Sequence, residues 1–270
     1  MTSCLTAKHP PAAKKSLGQH FLRREDICTR IAALLFPTQE DCIIEIGPGS
    51  GALTRALEAQ PHHSLLLLEK DAYWAVQRQR LAAAATQAVL MDALHLDWRR
   101  IGPQCPWKIT GNLPYNIASP LIWDSLSRAP CWQRAVFMVQ KEVGQRLAAM
   151  PGTRHYGALS VWVQSFSRPH IEFLVGPDAF SPPPKVDSAV LSFAPLSAEQ
   201  RPSYPDRLGR LLRICFQQRR KQIGGIFRRS TIPGLAEALR RSGLDATLRP
   251  EAISVAEFQR LTVLWAEAAR

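Results

Sequence analysis

The chain has 270 residues, 46% hydrophobic and 21% charged, a composition that excludes disorder and a length that suits a large α/β domain with a small companion. No stretch approaches 18 uninterrupted apolar residues, which excludes a transmembrane helix. The formal net charge of +12 points to a polyanionic partner, with a merely basic soluble surface as the alternative.

Met1 to Pro11 lacks the apolar core of a secretory peptide. Cys4, Cys28, Cys42, Cys105, Cys131 and Cys215 are scattered, with no C-x-x-C pair and no His cluster to complement them. They are expected to be reduced thiols of a cytoplasmic protein without a metal site. Cys42-Ile43-Ile44-Glu45-Ile46 is a β-branched run that ends in Gly47-Pro48-Gly49-Ser50-Gly51. A helical pattern follows at once, with Ala52, Leu53, Ala56 and Leu57 on one face. The second apolar run, Leu65 to Leu68, ends in Glu69, and the third, Ala88 to Met91, ends in Asp92. The fourth, Trp107 to Thr110, leads into Asn112-Leu113-Pro114-Tyr115, and the fifth, Ala135 to Val139, precedes a helical stretch from about Lys141 to Met150. Strands alternating with helices predict parallel βαβ units and a doubly wound, Rossmann-like sheet, whose ligands bind outside the carboxyl ends of the strands.

Ile171–Val175 and Ser188–Phe193 flank a turn, Ser181-Pro182-Pro183-Pro184, and read as an antiparallel hairpin that finishes the sheet. Pro195, Pro202 and Pro205 then break the chain. The expected domains are 1–198, the α/β domain, and 199–270, a small, basic, all-helical one. From Arg201 to Arg241 eleven Lys/Arg face only Asp206 and Glu237. A solvated face normally mixes signs, so phosphate contacts explain the cluster better.

Gly47-x-Gly49-x-Gly51 departs from the nicotinamide fingerprint, in which the third glycine follows the second by three residues. With Glu45 just before the turn it suits a ligand without a pyrophosphate, S-adenosylmethionine. Glu69 can accept both ribose hydroxyls and Asp92 the adenine amino group; an N-cap or loop carboxylate is the alternative for each acid. Asn112-Leu113-Pro114-Tyr115 offers two acceptors, the Asn112 side-chain oxygen and the Leu113 carbonyl, for the hydrogens of a planar amine such as adenine N6. Pro114 stiffens the turn and Tyr115 offers a stacking face. A bland Asx-Pro turn remains the competing reading. Phe180 is the candidate for a second face on a flipped-out base, or else a core residue closing the hairpin.

These residues resemble the KsgA family of small-subunit (16S) ribosomal RNA adenine N6-dimethyltransferases over nearly the whole chain. The resemblance is carried by Leu17-Gly18-Gln19-His20-Phe21-Leu22, by Glu45 to Gly51, by Glu69 and Asp92, by Asn112 to Ile117, by Phe180 to Val190, and by Cys215-Phe216-Gln217-Gln218-Arg219-Arg220-Lys221. It implies an S-adenosylmethionine-dependent enzyme that dimethylates two adjacent adenosines in the 3′-terminal hairpin of small-subunit rRNA during ribosome assembly. It also implies that His20, Leu22 and Ala93 join Glu45, Gly47, Gly49, Gly51, Glu69, Asp92 and Asn112 at the cofactor. Arg219, Arg220 and Lys221 are expected on RNA phosphates of an immature small subunit, with the enzyme a monomer. His20 stands where many members carry Asn, and Gly224-Gly225 is expected to interrupt a helix. The alternatives are a large-subunit rRNA adenine dimethylase and a catalytically idle assembly or transcription factor of the same fold.

Overall fold

The computed structural model describes Lys14, residues 19–102 and residues 106–269. Leu17 and Gly18 of the N-terminal motif, residues 1–11, Cys4 and Cys105 lie outside the described residues. In chain order the elements are β1 (Phe21–Leu22), α1 (Glu25–Ala33), β2 (Cys42–Ile46), α2 (Ala52–Glu58), β3 (Ser64–Glu69), α3 (Ala72–Leu81), β4 (Thr86–Leu90), β5 (Trp107–Asn112), α4 (Ala118–Arg128) and β6 (Trp132–Gln140). They continue through α5 (Lys141–Leu147), α6 (Ala158–Gln164), β7 (Ser167–Val175), β8 (Phe180–Ser181) and β9 (Ser188–Pro195) to α7 (Pro205–Gln217), α8 (Ile223–Arg228), α9 (Leu235–Ser242) and α10 (Val255–Ala268).

The main sheet has the order β4-β3-β2-β5-β6-β9-β7. Strands β2 to β6 pair in parallel, and β9 joins β6 antiparallel. Every residue of β2 is buried, as a parallel strand covered on both faces requires. One face carries an apolar cluster built from Ile27, Ile31 and Leu35, from Leu53 and Leu57 of α2, and from Ile43, Leu65, Val136 and Val190 of the sheet. Connections from β2 run outward one way through β3 and β4, and from β5 the other way through β6. The β2–β5 junction is therefore the switch point where an open α/β sheet leaves a crevice. The runs read as strands in the sequence become β2 to β6 in that order, and the expected hairpin strands become neighbours β9 and β7 at the far edge.

The chain forms two compact units, Met1–Gly144 with His170–Ala194, and Gln145–Pro169 with Pro195–Arg270. A single boundary after residue 198 does not describe this, because Gln145–Pro169 packs with the helices that follow β9. Its α6 buries Val161, Trp162 and Val163 and lies against α7 and α10. Gly152 N–H donates to the Glu251 carbonyl (2.7 Å), and the Tyr156 hydroxyl donates to the Ile253 carbonyl (2.9 Å). A helix following a strand reads locally as a crossover, so periodicity could not reveal this partner. Gly224 and Gly225 do not interrupt a helix; both lie inside α8. Gly224 N–H donates to the Ala246 carbonyl (2.9 Å), and a Cβ on Gly224 would sit 2.9 Å from that same oxygen, so the glycine serves close approach. Cys28, Cys131 and Cys215 are free, whereas Cys42 is disulfide-bonded, which corrects the expectation of uniformly reduced thiols. Among the described residues no helix is long and apolar enough to cross a membrane.

Candidate active site

A cavity opens at the carboxyl ends of β2, β3 and β5. It is lined by His20 and Leu22, by Glu45, Gly47 and Gly49, by Glu69, by Asp92 and Ala93, and by Asn112 through Ile117. Residues nominated from five separate stretches of sequence thus meet in one place. Gly51 lies just behind the lining, and Phe180 does not reach it.

The glycine turn is held by the strands beside it. Gly47 N–H donates to the Leu68 carbonyl and Gly49 N–H to Glu69 Oε2, both at 2.9 Å. Gly47 has φ +68°, and a Cβ there would meet nothing within 4 Å, so the turn leaves open space on that side. Gly51 is different: at φ +79° its missing Cβ leaves room for protein, since Arg78 Nη1 would lie 1.7 Å away. Arg78 is nine-tenths buried, and its Nε has no partner among the described residues.

Glu69 accepts a second backbone hydrogen bond, from Asp71 N–H (2.8 Å), and burial raises its pKa above the ordinary carboxylate range. Glu69 lines the cavity, and a carboxylate with lone pairs left over suits a pair of vicinal hydroxyls. Asp92 accepts Leu94 N–H (3.1 Å) on Oδ1 and pairs with Lys70 Nζ (2.7 Å) on Oδ2. Burial acts upward on Asp92, but the Lys70 ammonium and the Leu94 amide outweigh it, so the carboxyl lies low and stays ionised. A donor such as an adenine amino group would share this carboxylate with Lys70. Neither Lys70 nor Asp71 was singled out in the sequence. Asp71 caps α3 through Tyr73 N–H (3.0 Å) and accepts from Gln19 Nε2 (3.3 Å), which anchors the segment leading to His20.

Glu45 is 1% exposed and accepts the Thr54 hydroxyl (2.7 Å). Burial pushes its pKa up to about 8, with the Thr54 hydrogen bond opposing. The unfolded carboxyl titrates near 4.5, so between the two values only the folded protein keeps the proton. Stability is therefore expected to fall as pH rises through that window, by at most ~1.4 kcal/mol per unit. Glu45→Gln should flatten this dependence. Urea unfolding of both proteins at pH 5.5 and pH 8 measures it, and equal pH slopes would show that Glu45 is not the group responsible.

Asn112 closes β5. Its Nδ2 donates to the His20 carbonyl (2.9 Å), and because a carbonyl can only accept, this bond fixes the amide orientation. Asn112 Oδ1 accepts nothing from the described residues and is the available acceptor. Leu113 N–H donates to the Met138 carbonyl (3.0 Å), while the Pro114 carbonyl receives Ile117 and Ala118 N–H (both 3.1 Å) as α4 begins. The Tyr115 hydroxyl pairs with Ser188 Oγ (3.1 Å), and the ring stacks on the His20 imidazole with centroids 5.5 Å apart and planes 26° apart. The residue before Asn112 was overlooked in the sequence. A Cβ on Gly111 would sit 2.5 Å from the Ile46 carbonyl oxygen, so β5 reaches the end of β2 only because position 111 has no side chain.

Phe180 is 4% exposed, pairs by backbone with Leu22, and packs in the apolar cluster with Ile27 and Val175. The ring packs in the core, the second of the two places that the sequence allowed it. In the helical unit, Arg219 pairs with Glu251 (2.6 Å) and donates to the Arg154 carbonyl (2.7 Å), while Arg220 and Lys221 are exposed on the turn after α7. Arg240 and Arg241 are bridged to Glu237 and Glu267, and Arg207 lies over Trp265, so part of the basic cluster is used internally.

Known proteins resemble the chain over nearly its whole length. The family model described as "Ribosomal RNA adenine dimethylase" matches residues 11–267. "Ribosomal RNA small subunit methyltransferase A" of Nitratidesulfovibrio vulgaris is 52% identical over 252 residues, 92% of this chain and 95% of the relative. The protein of the same name from Oleidesulfovibrio alaskensis is 51% identical over 94% of this chain and 91% of its own length. The crystal structure of a dimethyladenosine transferase from Plasmodium falciparum shares the fold, with a TM-score of 0.78 at 24% identity, covering 93% of this chain and 98% of that one. The chain belongs to the ribosomal RNA adenine dimethylase family.

Proposed function

We propose that the protein transfers methyl groups to N6 of two adjacent adenosines in the 3′-terminal hairpin of small-subunit ribosomal RNA, acting on an immature subunit. The observation that carries this is the Asn112 amide, oriented by the His20 carbonyl (2.9 Å) at the end of β5, beside the glycine turn of β2. S-adenosylmethionine, held by the open side of Gly47 and by Glu69 and Asp92, supplies an electrophilic methyl group on a sulfonium. The Gly47 cradle and the ionised Asp92 fit its amino-acid and adenine ends.

An adenine N6 lone pair is delocalised into the ring and is a poor nucleophile. Asn112 Oδ1 and the Leu113 carbonyl accept its two hydrogens and localise that pair on nitrogen. Leu113 and Pro114 wall the cavity, which strengthens both contacts by excluding water. No general base is required, because the N6 proton becomes acidic only as the new bond forms and can leave afterwards. A monomethylated amine keeps one N–H, so the second transfer proceeds with one acceptor contact fewer.

Incubating undermethylated small subunits with the protein and labelled S-adenosylmethionine, and mapping the product by mass, tests the reading. Dimethyladenosine pairs in 16S RNA are expected; label in 23S RNA would instead make the protein a large-subunit enzyme. RNA contact supplies a separate prediction. Arg220→Ala and Lys221→Ala should each lower the salt slope of subunit binding by about one. Arg219→Ala should leave the slope nearly unchanged and loosen the 145–169 segment, because its guanidinium is committed to Glu251 and Arg154. Binding titrations at several salt concentrations separate these outcomes.

A further inference from the structure

We propose that Asp71 is a positioning residue for methyl transfer: through Gln19 it fixes the His20 carbonyl, and so holds the Asn112 amide in its working orientation. The inference rests on the adenine-dimethylating reading above. Asp71 is 3% exposed, and its two carboxylate oxygens face different partners. Oδ1 accepts Tyr73 N–H (3.0 Å) and caps α3, which ties the carboxylate to the turn after β3. Oδ2 accepts Gln19 Nε2 (3.3 Å) and pairs with Lys14 Nζ (2.8 Å). The Gln19 amide has one orientation that serves both its ends, because Oε1 accepts Lys14 N–H (2.8 Å) and leaves Nε2 to donate. One buried carboxylate thus holds the chain at two points before His20. The His20 carbonyl in turn receives Asn112 Nδ2 (2.9 Å).

After His20 the chain is held by the β1–β8 ladder and by Arg23 N–H to the Ala179 carbonyl (2.9 Å). Asp71 supplies the hold on the other side, so that the His20 peptide is fixed from both directions. Lys14 is half-exposed and its ion pair is worth little alone, whereas a hydrogen bond to a buried, charged acceptor is of the strong kind. Asp71 also donates its own N–H to Glu69 Oε1 (2.8 Å), the acid assigned to the ribose. That second link uses only the main chain. A side-chain substitution at position 71 therefore releases the target end of the site and leaves the cofactor end in place.

The test uses Asp71→Asn and Gln19→Leu in the full chain. Asparagine keeps Oδ1 for the Tyr73 cap but sets an NH2 where Oδ2 stood, facing the Gln19 donor. Leucine removes that donor and leaves Asp71 untouched. Each variant is expected to slow single-turnover transfer to undermethylated small subunits about tenfold. Calorimetric affinity for S-adenosylhomocysteine should stay within about twofold, and hydrogen exchange at Arg23 should quicken about tenfold. In an Asn112→Ala background neither substitution should slow transfer further, since both act through that amide. The inference is overturned if both variants transfer at the wild-type rate, if cofactor affinity falls in step with rate, or if the losses add to that of Asn112→Ala. Unchanged exchange at Arg23 in both variants also overturns it, by a measurement that needs no activity. Wild-type protein that leaves adenine N6 of 16S RNA unmethylated would instead overturn the reading beneath it.

Discussion

Asn112→Ala is expected to slow methyl transfer by about 10²–10³-fold, with little change in the affinity for S-adenosylmethionine or for the small subunit. Asn112 lines the cavity, its Nδ2 is committed to the His20 carbonyl, and no described residue donates to its Oδ1. Alanine removes an acceptor that works as charge moves off the nitrogen, so the loss falls on the chemical step and not on ground-state binding. Asn112→Asp should not rescue it. Aspartate keeps an acceptor but has no N–H for the His20 carbonyl, and the carboxylate would face that oxygen across 2.9 Å. Single-turnover transfer in preformed complexes, with calorimetric binding alongside, gives the two quantities separately. A normal single-turnover rate for Asn112→Ala would remove the acceptor mechanism altogether.

Gly111→Ala is expected to damage both stability and catalysis. The added methyl would lie 2.5 Å from the Ile46 carbonyl oxygen, 3.2 Å from Leu113 Cδ2 and 3.3 Å from Ile46 Cβ. The oxygen belongs to the backbone at the end of β2 and cannot rotate away as a side chain would, so β5 must move off β2 where the two strands are in register at Glu45 and Thr110. Overpacking of this kind costs about 2–3 kcal/mol. Asn112, the next residue, moves with the strand, and a misplacement of ~1 Å at a reacting centre costs on the order of 10²-fold in rate. Urea unfolding and kcat measured on the same preparation check both parts. If the variant matches wild type in both, β2 and β5 are not constrained by position 111.

Much of this site was legible because it is local in sequence. Each parallel strand is a short apolar run that ends in a polar residue, and the sheet gathers those ends without further instruction. Glu45, Glu69, Asp92 and Asn112 could therefore be nominated one by one and found together. What could not be read depends on contacts between distant segments. Gly111 looks like an ordinary strand residue until the Ile46 carbonyl is seen beside it. Phe180 sits in a motif rich in site residues, yet its backbone register with Leu22 points its ring into the core. Arg219 is indistinguishable in sequence from Arg220, and only the nearness of Glu251 shows that its charge is already matched. The same holds for Gln145–Pro169, which carries helical periodicity but no mark of the helices it packs against.

The orientation of Asn112 depends on a carbonyl 92 positions earlier in the chain. That carbonyl precedes a strand of two residues, whose only sheet partner among the described residues is the equally short β8, supplemented by Arg23 N–H to the Ala179 carbonyl (2.9 Å). So small a ladder is a natural unit of local opening, able to detach while the seven-stranded sheet stays intact. Each such opening releases the Asn112 amide to rotate and disarms the acceptor without unfolding the protein. Hydrogen exchange at Arg23 and Leu22 should then be faster than in β2 or β5, and conditions that raise it should lower the competent fraction of enzyme in proportion.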